Sequence, residues 1–89
     1  MYYIYVLKSL RNGKRYVGLT ELLPEERLRQ HNFGSNKWSK ANRPLQLVYT
    51  ENHLNKTFAR KRELFLKSGI GRKVLSSLID INGGYSSIG

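Results

Sequence analysis

Residues 2–20, YYIYVLKSLRNGKRYVGLT, decide the fold. Two short runs rich in tyrosine and branched apolar residues flank Asn12-Gly13. Asn and Gly tolerate the positive φ of a tight primed turn, so the dipeptide between two such runs predicts a β-hairpin. A two-residue turn pairs Tyr5 with Thr20 and Ser9 with Tyr16. Opposed residues share a face of the sheet. Tyr3, Tyr5 and Leu7 therefore lie with Tyr16, Gly18 and Thr20, while Ile4 and Val6 lie with Val17 and Leu19. One face is aliphatic and suits a core. The other carries phenols around a residue with no side chain. This turn leaves Tyr5 and Tyr16 several residues apart along the ladder; a bulge or a longer loop changes that.

Outward from the hairpin, Pro24 suits the first turn of a helix, where its missing N–H costs nothing. Glu25 and Glu26 follow where the helix dipole favours negative charge, and Gly34 is a C-terminal stop. Arg27 and His31, four apart, share a side of this helix, with Leu28 pointing elsewhere. By spacing alone the pair reads as a solvated helix side, although Arg27 could reach a phosphate held against the tyrosine face. Residues 34–43, GSNKWSKANR, predict a polar loop carrying Lys37, Lys40 and Arg43 around Trp38. Such interleaving suits phosphate contact plus base stacking. Trp38 packing the loop onto the body is the equal alternative. Leu45–Thr50 alternates and is rich in strand formers, giving a third strand.

Asn55 or Thr57 can cap a helix over about residues 57–68. At about 100° per residue, Phe58, Ala59, Phe65 and Leu66 form its apolar arc, with Glu63 at the edge among Arg60, Lys61 and Arg62. By composition alone Glu63 pairs with those cations. Yet a carboxylate on a helix facing a polyanion is a poor choice unless a cation intervenes. Gly69 and Gly71 break the helix and Arg72 and Lys73 add charge; the stretch lacks the Lys-Ser/Thr pair of a nucleotide-binding loop. Val74, Leu75, Leu78 and Ile79 predict a last short helix, and residues 82–89 a flexible tail after a domain over 1–81.

The 89 residues make one domain with a modest core. Sixteen Lys and Arg against six Asp and Glu give a net charge of +10, and polyanions are the natural partner for such a field. The absence of cysteine excludes disulfides and thiolate-held zinc and fits the cytoplasm. No apolar run approaches the roughly 20 residues of a membrane span, and no leader pattern precedes the first strand, so no membrane is expected.

Tyr3-Ile4-Tyr5 followed by Tyr16-Val17-Gly18 resembles the two half-motifs of the GIY-YIG nuclease superfamily, with Tyr3 in place of the first glycine. The resemblance continues through Arg27-Leu28-Arg29-Gln30-His31-Asn32, the Arg43-Pro44 step, and Ala59, Glu63 and Lys67 at four-residue spacing. It spans roughly residues 2–79 and is closest in kind to small single-domain members. The excinuclease branch, the C subunit of bacterial nucleotide excision repair, often carries lysine where this chain has Leu19.

The resemblance implies a mixed α/β (α+β) domain: a three-stranded antiparallel sheet flanked by helices in the order β-β-α-β-α-α. It implies a metal-dependent endonuclease cutting DNA, or RNA, with little sequence preference and a role in DNA repair or recombination. Tyr5, Tyr16, Arg27 and His31 would be catalytic. Tyr16 is the first choice of general base, with Tyr5 orienting water or substrate. Arg27 would hold the phosphate, and His31 would position water or relay a proton. Glu63 would bring one divalent ion, Mg²⁺ or Mn²⁺. Lys37, Trp38, Lys40, Arg43, Arg60, Arg72 and Lys73 would contact nucleic acid. A protein partner would supply targeting, since the short chain has no room for a DNA-reading domain. Two rivals stand beside this reading: a non-catalytic nucleic-acid-binding module on the same fold, and a subunit that recruits a protein through its basic face.

Overall fold

A computed structural model describes residues 1–81. The hairpin forms from β1, Tyr2–Ser9, and β2, Arg15–Thr20. Its connection is longer than a two-residue turn. Ser9 and Lys14 close a loop through a 2.8 Å backbone bond, and Ser9 Oγ accepts the N–H groups of Arg11 and Asn12 at 3.1 and 3.2 Å. Gly13 supplies the positive φ, +77°. Tyr5 therefore faces Gly18, not Thr20, and Tyr16 faces Leu7. The register differs from that of a two-residue turn by two residues. An even shift leaves every side chain on its expected face but brings Tyr5 and Tyr16 to diagonal positions.

The third strand, β3, Leu45–His53, is longer than expected and pairs antiparallel with β1, giving the order β2-β1-β3. His53, expected in a loop, thus ends a strand. The register shifts between Val6 and Leu7: Val6 faces Tyr49 and Leu7 faces Leu47. This bulge lets Val48 and Tyr49 both pack on the aliphatic side. β1 is central, and Ile4, Tyr5, Val6 and Leu7 are all fully buried. Both faces are therefore covered.

Among the described residues four helices cover them: α1, Pro24–Asn32; α2, Lys37–Asn42; α3, Lys56–Lys67; and α4, Gly69–Ile81. Leu66 of α3 and Leu75 of α4 pack with Ile4, Val6, Val17 and Val48 on the aliphatic face. Leu28 of α1 and Trp38 of α2 pack with Tyr5, Leu7, Leu45, Leu47 and Tyr16 on the other. The antiparallel sheet and the helical order are those expected, with α2 inserted where a polar loop was read. Asn36 caps α2 by accepting the Ser39 N–H at 2.8 Å. Asn42 ties it to the hairpin loop: its carbonyl accepts from Ser9 Oγ at 2.6 Å and its side-chain oxygen from Asn12 at 2.8 Å.

Helix α1 starts at Pro24 and ends in the expected glycine stop, with Gly34 at φ +84° and bonds from Gly34 N to His31 O and Ser35 N to Gln30 O. Asn32 clamps its end to β3, accepting from the Leu45 N–H at 2.7 Å and donating to the Leu45 carbonyl at 3.2 Å. Asn55 caps α3 through a 2.9 Å bond from Phe58 N. The buried arc of α3 is Ala59, Glu63 and Leu66, whereas Phe58 and Phe65, expected inside, are 59% and 38% exposed. Only one turn-wide stripe of α3 meets the sheet. The last helix begins at Gly69, earlier than expected, with Ser68 Oγ accepting from Gly71 N at 3.1 Å. Gly71 sits inside α4 because a Cβ there would collide with the backbone at Phe65 and Leu66. The expected tail, residues 82–89, lies outside the described residues.

Glu51 joins β3 to α3. It accepts from Arg62 Nη2 at 2.8 Å, Tyr49 Oη at 2.6 Å and His53 Nε2 at 3.0 Å. Burial alone would raise its carboxyl, but these bonds and the Arg62 charge outweigh that and bring it down to about 2. Burial and the carboxylate beside it push the Tyr49 phenol up to about 12.

Candidate active site

Tyr5, Tyr16, Arg27 and His31 come from β1, β2 and α1 and meet on one side of the sheet. The Tyr5 and Tyr16 ring centres lie 6.2 Å apart, and the His31 ring is 5.8 Å from Tyr5 and 4.9 Å from Tyr16. His31 Nε2 is 2.9 Å from Tyr5 Oη and 3.2 Å from Arg27 Nη2. Arg27 Nε donates to Tyr5 Oη at 3.4 Å, and the guanidinium lies over the Tyr5 ring at 5.9 Å. On the far side of the imidazole, Nδ1 bonds to Ser39 Oγ.

This arrangement reverses the plain reading of Arg27 and His31 as a solvated helix side. His31 is fully buried. Burial, and then the Arg27 charge, hold its imidazole below the usual histidine range, so the ring is neutral near pH 7. Burial also raises the Tyr5 phenol; the nearby Arg27 opposes this and the charges of Tyr16 and Glu63 add to it. Tyr5 is 1% exposed and stays protonated, whereas Tyr16 is half-buried and borders open space.

That space is a groove of about 610 Å³ between the hairpin, α2 and the α3–α4 junction. Tyr16, Trp38, Lys14, Arg15, Lys67 and Arg72 line it. The Trp38 ring lies against Tyr16 at 5.2 Å, tilted by 38°, so it both packs on the body and faces the groove. Among the residues read as nucleic-acid contacts, Trp38 and Arg72 lie here. Lys37, Lys40, Arg43 and Lys73 are exposed but do not line it, and Arg60 is held by Glu63.

Glu63 is 4% exposed. Its Oε1 accepts from Arg60 Nη1 at 2.6 Å and its Oε2 from Lys67 Nζ at 3.0 Å. Its charge reaches Tyr5, and Lys67, one turn on, borders the groove. Among the described residues no group of three or more His, Cys, Asp or Glu side chains could share a metal ion. Sequence reading missed Ser39, Lys14, Arg15 and Lys67 as parts of this region. The one local signal for Ser39 is Asn36 three residues before it, a helix cap.

The family model of the GIY-YIG catalytic domain matches residues 1–73. The chain belongs to the GIY-YIG family. It is 39% identical over 75 residues to a UPF0213 protein of Staphylococcus saprophyticus, covering 83% of this chain and 89% of the relative. A UPF0213 protein of Clostridium perfringens is 38% identical over 68 residues, covering 75% and 71%. One of Staphylococcus epidermidis is 30% identical over 67 residues, covering 75% and 80%. Membership implies nuclease activity in general, and hence a nucleic-acid substrate. No helix among the described residues is long and apolar enough to cross a membrane.

Proposed function

We propose that the chain is an endonuclease that hydrolyses phosphodiester bonds in DNA, with RNA as the alternative, using one Mg²⁺ or Mn²⁺ held by Glu63. The supporting observation is the convergence of Tyr5, Tyr16, Arg27 and His31, with Tyr16 opening onto a basic groove that Lys67, an ion-pair partner of the buried Glu63, also lines.

The donor set fits such an ion. Glu63 offers a hard carboxylate oxygen, and a hydrated divalent cation needs few protein ligands. The Arg60 and Lys67 side chains that now satisfy it are 59% and 46% exposed and free to swing aside. A bound ion would polarise the phosphate and stabilise the departing oxygen. Arg27 has donors only and would hold a phosphate oxygen and the charge that develops on it. Tyr16 borders the groove and would take the proton of the attacking water. A phenol ordinarily ionises near pH 10, so it needs neighbouring positive charge to act at neutral pH. Tyr5, whose hydroxyl contacts His31 Nε2, would orient water or substrate, and His31 would position the water or relay a proton. Water adds to phosphorus as the bridging P–O bond breaks; the freed oxygen takes its proton from solvent, and Tyr16 returns the proton it accepted to solvent.

Backbone contacts by Lys14, Arg15, Lys67 and Arg72 carry no sequence information, which supports low intrinsic specificity and a protein partner for targeting. We place it in the cytoplasm, which the lack of cysteine fits, and in DNA repair or recombination, as the family resemblance suggests.

One observation favours a second reading, a binding module without catalysis: both Glu63 oxygens are already neutralised by protein cations. Cleavage of single-stranded, duplex and branched DNA with Mg²⁺, Mn²⁺ or EDTA, beside Glu63→Ala, separates the two. Metal-dependent cutting lost in Glu63→Ala supports the nuclease. Tight salt-sensitive binding without cutting, unchanged in Glu63→Ala, supports the module.

A further inference from the structure

We propose that Ser39 is the positioning residue for His31, fixing the imidazole proton on Nδ1 so that the Nε2 lone pair faces Tyr5 and Arg27. The consequence for turnover rests on the nuclease reading; the assignment of the proton does not.

The argument is one of donors and acceptors. A guanidinium has no acceptor. Arg27 Nη2 lies 3.2 Å from His31 Nε2, so Nε2 must offer its lone pair. Tyr5 Oη already receives Arg27 Nε, and it lies 2.9 Å from the same nitrogen, so its own proton points to Nε2. A neutral imidazole carries one N–H, and with the single Nε2 lone pair shared between these two donors that N–H is on Nδ1. It donates to Ser39 Oγ. Ser35 Oγ, 3.5 Å from the same nitrogen, makes only a long and weaker contact.

Ser39 and His31 are both fully buried, which leaves no room for bulk water to replace the hydroxyl. The groups facing the ring are Tyr5 from β1, Tyr16 from β2 and Arg27 from its own helix, and none of them bonds to Nδ1. Without Ser39 the buried N–H loses its partner. The proton can then move to Nε2, where Tyr5 Oη is able to accept it, but there it opposes the Arg27 guanidinium, which only donates, and the contact between Arg27 and the ring is lost.

The fold delivers Ser39 with care. Asn36 caps α2 on the Ser39 N–H, and Asn42 holds the other end of that helix to the hairpin loop. The loop that sets the register of Tyr5 against Gly18 thus also seats the helix that orients the partner of Tyr5.

The test uses the full chain. Long-range ¹⁵N NMR at neutral pH should show His31 as the neutral Nδ1–H tautomer. Ser39→Ala should shift it toward Nε2–H and lower kcat about 10- to 100-fold, by analogy with the loss when the partner orienting a metal-bound histidine is removed, with KM for DNA nearly unchanged. Ser39→Thr, which keeps the hydroxyl, should retain the tautomer and most of kcat. A wild-type His31 that is Nε2–H or doubly protonated overturns the proposal whether or not Ser39→Ala folds. So does a folded Ser39→Ala with the tautomer and kcat of the wild type. An inactive wild-type chain whose Nδ1–H tautomer depends on Ser39 upholds the positioning role and overturns the nuclease reading alone.

Discussion

Tyr5 and Gly18 are cross-strand partners, and the Tyr5 phenol lies across Gly18 so closely that a Cβ at position 18 would fall 2.5 Å from Tyr5 Oη. The glycine that closes the second half-motif is therefore a floor for the tyrosine that closes the first. With the ring lying on it, the hydroxyl reaches His31 at 2.9 Å. Gly18→Ala should push the ring off that floor, destabilise the domain by about 1–3 kcal/mol as overpacking does, and cut the cleavage rate. In a Tyr5→Leu background the same substitution should cost less. A double-mutant cycle by urea denaturation reads the difference, and strict additivity would mean that the two residues do not press on one another.

Arg27 touches both Tyr5 and His31, whereas the groove itself is lined by other cations, Lys14, Arg15, Lys67 and Arg72. Arg27→Ala should lower the single-turnover cleavage rate about 10²- to 10³-fold, the loss typical of removing one donor to transition-state charge. DNA affinity at fixed salt should fall far less. Comparable losses in both would make Arg27 a binding residue.

Tyr16→Phe keeps the stacking between Trp38 and His31 and removes only the hydroxyl. The folded variant should bind DNA as the wild type does and cleave it hardly at all. Full cleavage by a folded Tyr16→Phe would refute its assignment as the base.

Lys14 and Arg72 are exposed cations on the groove wall. Replacing both with alanine should weaken DNA binding and flatten its salt dependence by about 0.7–0.9 in log–log slope for each phosphate no longer neutralised. Fluorescence anisotropy over a salt series measures this. An unchanged slope would move the strand path off the groove.

Glu51 sets an acid limit on stability. Its folded-state value of about 2 lies below the ordinary 4.5, so its contribution is complete above the ordinary value and fades as pH falls toward the lower one. The gap corresponds to roughly 3 kcal/mol. Urea midpoints should drop across that window in the wild type and drop less in Glu51→Gln. Parallel slopes would place the acid sensitivity elsewhere, with the buried neutral His31 the next group to examine.

Much of this was readable along the chain because it is local. The alternation of residues 2–7 and 16–20 assigns faces whatever the turn length, provided the register shifts in even steps. Pro24, Gly34 and Asn55 mark helix ends because each satisfies or omits particular backbone groups. The solvated-side reading of Arg27 and His31 failed because helical spacing says which residues share a side, not whether another element covers it. The same holds for Phe58 and Phe65: an apolar arc is a local pattern, and the width of the stripe that meets the sheet is not. Lys14, Arg15 and Lys67 join the groove from two segments far apart in sequence, so no window contains them.

The sequence by itself determined the antiparallel hairpin, its aliphatic and phenolic faces, the strong positive field and the residue types available for phosphodiester chemistry, all of which depend on near neighbours and composition. Only the tertiary structure decided which of those groups touch. A loop closed by Ser9 sets the register that brings Tyr5 beside Tyr16 and over Gly18. A six-residue helix, seated by contacts across the fold, brings Ser39 to His31. Donor and acceptor pairing of buried groups is a property of the assembled interior, where each must find a partner, and the chain order alone does not say which one.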